Sequence, residues 1–374
     1  MIPFNIPNVP EKSKQYVMQA LESPHQQGDG PFTTKVTELI SNLVGGGNVL
    51  LTPSCTHALE MASMLAEIGP GDEVILPSYT FTSAATAITK FGATPVFVDI
   101  EPESKGIAVD QVRHAITNKT KAISWVNYAG VAPDVDGLLG LAKDFDLLLI
   151  EDNAHGLGAT HKGNPLGGFG DFSTQSFHAT KNIQCGEGGA LVVNNPKYIE
   201  RAQVIREKGT NRSKFMRGEI QKYQWIDHGS SYLLAECLAA LLLGQLEDFR
   251  AIQDKRQRVF DNYHTQLTEW ALSRNYKLQF IENGESHSAH MFYLVLDSKI
   301  ARDQMIQRLK MSEIQAVFHY QSLASSIQGS KYPSSQRSFE VSEIMSNQLL
   351  RLPLHFALSE VNQNRIIQAI TASE

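Results

Sequence analysis

The stretch Ser176-Phe-His-Ala-Thr-Lys181-Asn182, with Gly186-Glu-Gly-Gly189 just behind it, decides how this chain is read. It lies between an alternating run, Asp171 to Phe177, and an apolar run, Ala190 to Val193. Both runs have the length and pattern of strands. Lys181 therefore stands at the end of a strand, where an amine can form a Schiff base with a carbonyl cofactor. Most lysines are solvated surface charges. The chemical reading of this one depends on what the other strand ends carry.

Working outward, apolar runs alternate with helical spacings. Asn48 to Leu51, Glu73 to Leu76, Thr94 to Val98, Ala122 to Val126 and Leu147 to Ile150 read as strands. Between them, His57 to Ile68, Ser83 to Phe91, Val109 to Ala115 and Gly137 to Phe145 read as helices. Strands alternating with helices make βαβ units and a mainly parallel sheet. Before this region, residues 1 to 12 are extended and proline-punctuated, and helices are expected over Lys12 to Leu21 and Phe32 to Leu43, split by Gly28-Asp-Gly-Pro31. After residue 200 the pattern changes. Tyr198 to Lys208 is helical, and a basic stretch runs from Gly209 to Gly218. Two helical segments then fill Tyr232 to Thr268. Strands over Met291 to Leu296 and Ala316 to Tyr320, and helices over Ile300 to Lys310 and Ser338 to Leu349, read as a smaller α/β unit hinged near 245 to 255.

In open parallel sheets, ligands sit outside the carboxyl ends of the strands. Ser54-Cys55-Thr56 follows the first strand with two hydroxyls at a helix start. That arrangement suits a phosphate, and it equally suits plain helix capping. Asp152 ends another strand, where a buried carboxylate needs a cationic partner or donors. A protonated pyridine nitrogen would serve, as would a structural ion pair. Phe81, or Tyr79 beside it, could stack on a flat ring or fill the core. Ser176 could add a hydroxyl. Together these are the groups that pyridoxal phosphate requires: a lysine, a carboxylate, a helix start with hydroxyls, and a flat neighbour.

Composition narrows the classes. The chain has 374 residues, 42% hydrophobic and 19% charged, with a formal charge of -6. That length suits two domains, or one large α/β domain with an appendage. The charge gives no bulk pull toward nucleic acid. Cys55, Cys185 and Cys237 are scattered, with no zinc spacing, and read as reduced thiols. No metal is expected. No signal peptide is read from Met1-Ile-Pro-Phe-Asn5, and no run reaches the roughly 18 to 20 apolar residues of a membrane span. A soluble, cytoplasmic protein is expected.

Pro53-Ser-Cys-Thr-His-Ala-Leu59, Gly71-Asp-Glu-Val-Ile-Leu-Pro-Ser-Tyr-Thr-Phe81, Glu151-Asp-Asn-Ala-His155 and the opening stretch resemble the DegT/DnrJ/EryC1/StrS nucleotide-sugar aminotransferases. The likeness keeps the same order from Ile2 to the final helix. It implies the fold-type I architecture of pyridoxal-phosphate-dependent aminotransferases. In that α/β fold a large domain has a mainly parallel mixed sheet flanked by helices, and a smaller α/β C-terminal domain follows. The expected division is 1–248, including an N-terminal segment 1–30, and 249–374. Gly28-Asp-Gly-Pro-Phe32, Arg206-Glu-Lys-Gly-Thr-Asn-Arg-Ser213 and Phe318-His-Tyr320 most resemble the branch that makes dTDP-4-amino-4,6-dideoxygalactose.

The resemblance also implies roles. Lys181 would anchor the cofactor and shuttle protons. Asp152 would pair with the ring nitrogen, and His155 would lie near the 3′-oxygen. Phe81 would stack, while Cys55, Thr56 and Ser176 would serve the phosphate. Relatives often place an Asn in a Gly-x-Asn-Tyr-Arg stretch that reaches the partner subunit's phosphate. Here Gly229-Ser-Ser-Tyr-Leu233 puts Ser231 at that position, and a homodimer or higher oligomer is implied. Relatives often read Tyr-x-Pro-Leu-His near the sugar, where this chain has Tyr320-Gln-Ser-Leu-Ala324. Substrate contacts are expected from Arg212, Lys214, His319 and Tyr320. The basic stretch carrying Arg212 and Lys214 suits a pyrophosphate, and it equally suits a solvated loop.

The expected reaction moves the amine of L-glutamate to a dTDP-4-keto-6-deoxyhexose, with the galactose configuration favoured over the glucose one or a 3-amino sugar. A surface polysaccharide would use the product. A dehydrase of the same family would carry histidine in place of Lys181. A nicotinamide enzyme would show Gly-x-Gly-x-x-Gly where this chain has Thr52-Pro-Ser-Cys-Thr56. A non-catalytic cofactor-binding regulator would be expected to carry a helix-turn-helix module, which this sequence lacks.

Overall fold

A computed structural model describes residues 1–282 and 285–372. Its nine N-terminal strands are β1 (Asn48–Thr52), β2 (Glu73–Pro77), β3 (Thr94–Val98), β4 (Thr120–Val126), β5 (Leu148–Asp152), β6 (Thr160–His161), β7 (Asn164–Pro165), β8 (Phe172–Ser176) and β9 (Gly189–Val193). All but β6 and β7 form one sheet, in the order β1-β9-β8-β5-β4-β2-β3. The pairs from β8 through β5, β4 and β2 to β3 are parallel, and β9 runs antiparallel to both neighbours. The carboxyl ends of β1, β2, β4, β5 and β8 therefore share one edge. The first residue of β9, Gly189, joins them there.

Most of these strands are apolar on both faces, as a sheet covered on both sides requires; β8 is the exception, with Ser173, Thr174 and Gln175 buried after Phe172. In β1, Leu50 packs into one cluster while Val49 and Leu51 pack into the other. In β9, Leu191 and Val193 face the first cluster, and Ala190 and Val192 the second. The helices of this part are α1 (Glu11–Glu22), α2 (Pro31–Leu43), α3 (Cys55–Leu65), α4 (Thr82–Thr89), α5 (Val109–Ala115), α6 (Val135–Phe145), α7 (Ile199–Arg206), α8 (Arg212–Met216) and α9 (Glu236–Glu247). Helix α8 is five residues long and forms inside the basic stretch that the sequence presents as a loop.

The rest of the chain builds α10 (Phe249–Ser273), β10 (Lys277–Leu278), β11 (Phe292–Val295), α11 (Lys299–Met311), α12 (Glu340–Gln348), β12 (Leu349–Leu352) and α13 (Glu360–Thr371). The three strands form an antiparallel sheet in the order β10-β11-β12. Its core joins Phe292, Leu294, Leu350 and Leu352 to Tyr263, Leu309 and Ile366. Ile2, from the other end of the chain, is part of this core and bridges Ile314.

One expected strand is absent. Ala316 to Tyr320 forms a single bridge, Val317 with Arg351, rather than a strand. Beyond Phe318 the side chains of His319 and Tyr320 are engaged elsewhere. His319 Nδ1 lies 2.5 Å from the Tyr128 hydroxyl, and the Tyr320 hydroxyl lies 3.3 Å from His155 Nε2.

Candidate active site

The shared strand edge faces a cavity of about 500 Å³, whose walls include Lys181, Asp152, Cys55, Thr56, Phe81, His155, Ser176, His319 and Tyr320. Residues from β12, among them Arg351, close it from the other sheet. Nine of the residues named from sequence thus meet in one place, although they are up to 265 positions apart.

Lys181 leaves β8 through a closed loop. Phe177 N–H donates to Gly188, Ala179 N–H to Gly186 and Lys181 N–H to His178. Gly186 makes this turn at φ +82°, a backbone region that glycine enters without steric cost. Burial lowers the Lys181 amine from its ordinary value to about 8, while the nearby Cys55 and Asp152 pull it back up. The amine therefore becomes neutral well below the pH at which an exposed lysine does.

Glu151 and Asp152 sit side by side at the end of β5, and their surroundings differ. Glu151 is fully buried and accepts N–H groups from Asn127 (2.8 Å), Gly167 (2.7 Å) and Phe169 (3.1 Å). Among the described residues Asp152 accepts one N–H, that of Ala154 at 3.0 Å, with the Cys55 thiol 4.0 Å away. Burial pushes the Asp152 carboxyl up, and the Ala154 N–H and the Lys181 charge pull it down. A carboxylate so lightly bonded in a cavity wall has acceptor capacity left for a cation.

At the start of α3 the hydroxyls divide their work. Ser54 caps the helix, accepting the His57 N–H at 3.2 Å. Thr56 Oγ1 and Ser83 Oγ lie 2.7 Å apart in the cavity wall. Cys55 turns its sulfur inward, 3.5 Å from Thr174 Oγ1, and burial raises it so that it stays a thiol. Gly189 makes the close approach possible. A Cβ there would lie 2.4 Å from the backbone nitrogen of Cys55.

The aromatic question is resolved by position. Phe81 precedes α4, lines the cavity and is 53% exposed. Tyr79 is fully buried, packed against Tyr128 with ring centroids 5.3 Å apart. Of these two, Phe81 is the one that lines the cavity. His155 accepts the Ala129 N–H on Nδ1 at 3.3 Å and stacks on His290 with centroids 4.3 Å apart. Burial lowers both imidazoles well below their ordinary range, so both are neutral.

Three expected contacts do not reach this cavity. Arg212 pairs with Glu207 at 3.0 Å, and Lys214 pairs with Glu200. Ser231 is exposed and bridges Glu207 through its backbone. None of the three lines the cavity of its own chain. Sequence reasoning missed His290 and Arg351. Arg351 did leave a signal, a single charge inside the apolar run Leu349-Leu-Arg-Leu352. The position of the absent histidine, Ala324, is buried and not in the wall; its N–H donates to Ser78 Oγ at 3.2 Å.

The arrangement can hold a flat, phosphorylated ring that carries an aldehyde and a basic nitrogen. An amine, a lightly bonded carboxylate, hydroxyls at a helix start and one exposed aromatic face are together in one wall. A profile of the DegT/DnrJ/EryC1/StrS aminotransferase family matches residues 7–371. The Methanocaldococcus jannaschii protein MJ1066, itself uncharacterized, is 34% identical over 297 residues, covering 78% of this chain and 76% of its own length. Among solved structures, the aminotransferase TlmJ from Streptoalloteichus hindustanus superposes with a TM-score of 0.91 at 26% identity, covering 100% of this chain and 98% of that one. Spr1654 from Streptococcus pneumoniae, assigned as a sugar aminotransferase, is 28% identical. Its apo form superposes with a TM-score of 0.90 over 99% of this chain and 96% of its own. Its PLP form gives 0.87 over 99% and 97%.

Proposed function

We propose, from the premise that this chain belongs to the DegT/DnrJ/EryC1/StrS aminotransferase family, that it moves the amino group of L-glutamate to a nucleotide-linked keto sugar with pyridoxal phosphate. One observation carries the reading. A neutralisable amine, Lys181, and a lightly bonded carboxylate, Asp152, stand at the ends of the parallel neighbours β8 and β5 in one cavity wall. When bound, the cofactor supplies the electron sink that makes a carbon–hydrogen bond beside nitrogen acidic.

The chain's own residues would do the following. Lys181 Nζ would hold the cofactor's aldehyde end, then accept a proton from the donor's α-carbon and return it during the exchange. Its fraction in the proton-accepting form rises as pH climbs through about 8. Asp152 would keep the ring nitrogen protonated. Thr56, Ser83 and Ser176, with the start of α3, would hold the phosphate. Phe81 would cover the ring. Neutral His155, fixed by the Ala129 N–H, would orient the ring oxygen without adding charge.

The keto sugar proposed is a dTDP-4-keto-6-deoxyhexose aminated at C4 in the galactose configuration, serving a surface polysaccharide. Support comes from the stretches that resemble that branch, Gly28 to Phe32, Arg206 to Ser213 and Phe318 to Tyr320. Two of its stretches meet, since Arg206 pairs with Asp29 at 2.7 Å. A homodimer is proposed as the working unit because Ser231, Arg212 and Lys214 lie away from their own cavity. Phe215, Met216, Trp225 and Ile226 around them are exposed. The division near 248, where α9 gives way to α10, is proposed as the boundary of two domains. Among the described residues no helix is long and apolar enough to cross a membrane, and a cytoplasmic site is proposed. The test is to incubate the protein with L-glutamate and dTDP-4-keto-6-deoxyglucose and assign the product by NMR. Axial nitrogen on C4 is expected. Nitrogen at C3, or an equatorial C4 amine, removes the sugar assignment.

A further inference from the structure

Asn182 follows Lys181 in the chain, and among the described residues the hydrogen bonds of its side chain all leave the lysine loop. Nδ2 donates to the Ser288 carbonyl at 2.7 Å and to Gln253 Oε1 at 3.0 Å. Oδ1 lies 3.0 Å from His290 Nδ1. An amide oxygen only accepts, so His290 carries its proton on Nδ1. Exchanging the amide's oxygen and nitrogen would set oxygen against the Ser288 carbonyl, so the orientation is fixed as well. Both N–H groups of Asn182 are engaged, which leaves none for a ligand.

The segment that receives Asn182 is itself tied down. Gln253 Nε2 donates to the Ser288 carbonyl too. Arg256 donates from Nε to the Ala289 carbonyl at 3.1 Å and from Nη2 to the His290 carbonyl at 2.6 Å. Ala289 sits at φ +46°, a region that an alanine enters only under strain. Ser288, Ala289, His290 and Arg256 are all buried. Such a turn persists only where its surroundings over-determine it, and strain of this kind gathers at functional sites. The same segment also reaches the site from its other side. The Ser288 hydroxyl donates to the His155 carbonyl, and the His290 ring stacks on the His155 ring. Lys181, Asn182, His155 and His290 together bound a recess of about 20 Å³, so nothing larger than a water separates them.

We propose that Asn182 is a positioning residue for Lys181: with His290 it ties the lysine loop to the strained 288–290 segment, so that the amine and the His155 imidazole keep one geometry through turnover. The inference rests on the transaminase reading above. In that reading Lys181 works twice, first holding the cofactor and then, released from it, moving a proton. In the second role no covalent bond holds the amine. Its stem is a flexible four-carbon chain, and the backbone it springs from decides where it can reach. The loop's own bonds, Ala179 to Gly186 and Lys181 to His178, close it on itself. Asn182 sets its place against α10 and the segment entering β11. Small errors in such a placement are costly, because proton transfer depends steeply on alignment.

The test separates the loop from the pocket around it. Cofactor-free protein is mixed with pyridoxal phosphate, and the yellow band is timed as Lys181 Nζ adds to the aldehyde and one water leaves. Asn182→Ala is expected to slow the band about tenfold or more. Calorimetric affinity for pyridoxamine phosphate, which has no aldehyde to capture, is expected to stay within about twofold, since the pocket itself is intact. In the loaded enzyme kcat should fall about tenfold while KM for L-glutamate moves less than about threefold. The isotope effect with α-deuterated glutamate should rise as that hydrogen's transfer becomes the slow step. His290→Phe keeps a stacked ring and removes the Nδ1–H bond. It is expected to slow band formation about threefold or more, and it decides the matter if the alanine variant fails to fold. A band that forms at the wild-type rate, pyridoxamine phosphate affinity that falls as far as that rate, or an unchanged isotope effect overturns the assignment. The broader reading fails separately, if L-glutamate leaves the wild-type band unchanged; the capture rates still decide the role of Asn182.

Discussion

Lys181 carries a cost in the protein without its cofactor. The folded chain holds its amine near 8 instead of 10.5. Below pH 8 the amine is charged in both states, and the folded state bears the full burden of burying it. Between pH 8 and 10.5 the unfolded chain holds a proton that the folded chain has released, so stability rises with pH across that window. A shift of this size is worth on the order of 3 kcal/mol. Lys181→Met keeps the apolar stem and removes the charge. The cofactor-free variant is expected to gain roughly 1–3 kcal/mol over wild type at pH 7, shrinking toward zero by pH 10.5, in urea unfolding series. A variant less stable than wild type at pH 7 would show that the protein compensates the buried amine. At this scale Lys181, Asp152 and Phe81 were legible in sequence, because each stands where a strand ends. His290, which precedes β11, gave no signal, and the lone charge of Arg351 in β12 marked a residue without saying which cavity it faces.

Helix α2 shows how an element is positioned by one side chain 200 residues away. Glu236 is fully buried at the start of α9 and accepts N–H groups from Gly30 (3.1 Å), Phe32 (2.8 Å) and Thr33 (3.0 Å), and the Thr33 hydroxyl as well. These are the donors that a helix N-terminus leaves unsatisfied, and a carboxylate there also opposes the helix dipole. Gly30 is required for the approach, since a Cβ at that position would lie 2.6 Å from the Glu236 carboxyl. Glu236→Ala strands these donors and should cost about 2–4 kcal/mol, read as a lower urea midpoint with an unchanged slope. A loss under about 0.5 kcal/mol would mean that water replaces the carboxylate without penalty. The glycine pair in Gly28-Asp-Gly-Pro31 read correctly as a helix boundary, while its contact with Glu236 had no local signal. The strand expected over 316–320 failed for a related reason. Alternation predicts a strand wherever the chain can pair, and here His319 and Tyr320 are drawn off by Tyr128 and His155.

For the whole molecule, the alternation of strands and helices made a mainly parallel sheet legible. The antiparallel β9, one strand in from the edge, was not, because a short apolar run does not reveal its direction. The order of the strands matters for function, since it places β5 beside β8 and so Asp152 beside Lys181. The cavity lies between the edge of this sheet and β12 of the second one. Arg212, Lys214 and Ser231 lie away from it within one chain, and Phe215, Met216, Trp225 and Ile226 leave an apolar surface around them. Exposed clusters of this kind mark association sites. Sedimentation at micromolar concentration is expected to give a dimer, and Trp225→Glu to shift it toward monomer. A wild-type monomer would leave those residues without a role in the site.

The central claim is that Lys181 and Asp152 together make this cavity a transaminase site. Its most direct test is the visible spectrum of the purified protein supplied with pyridoxal phosphate. A yellow band is expected that L-glutamate bleaches and 2-oxoglutarate restores, with neither change in Lys181→Ala. A protein that stays colourless, or whose band is indifferent to glutamate, would contradict it.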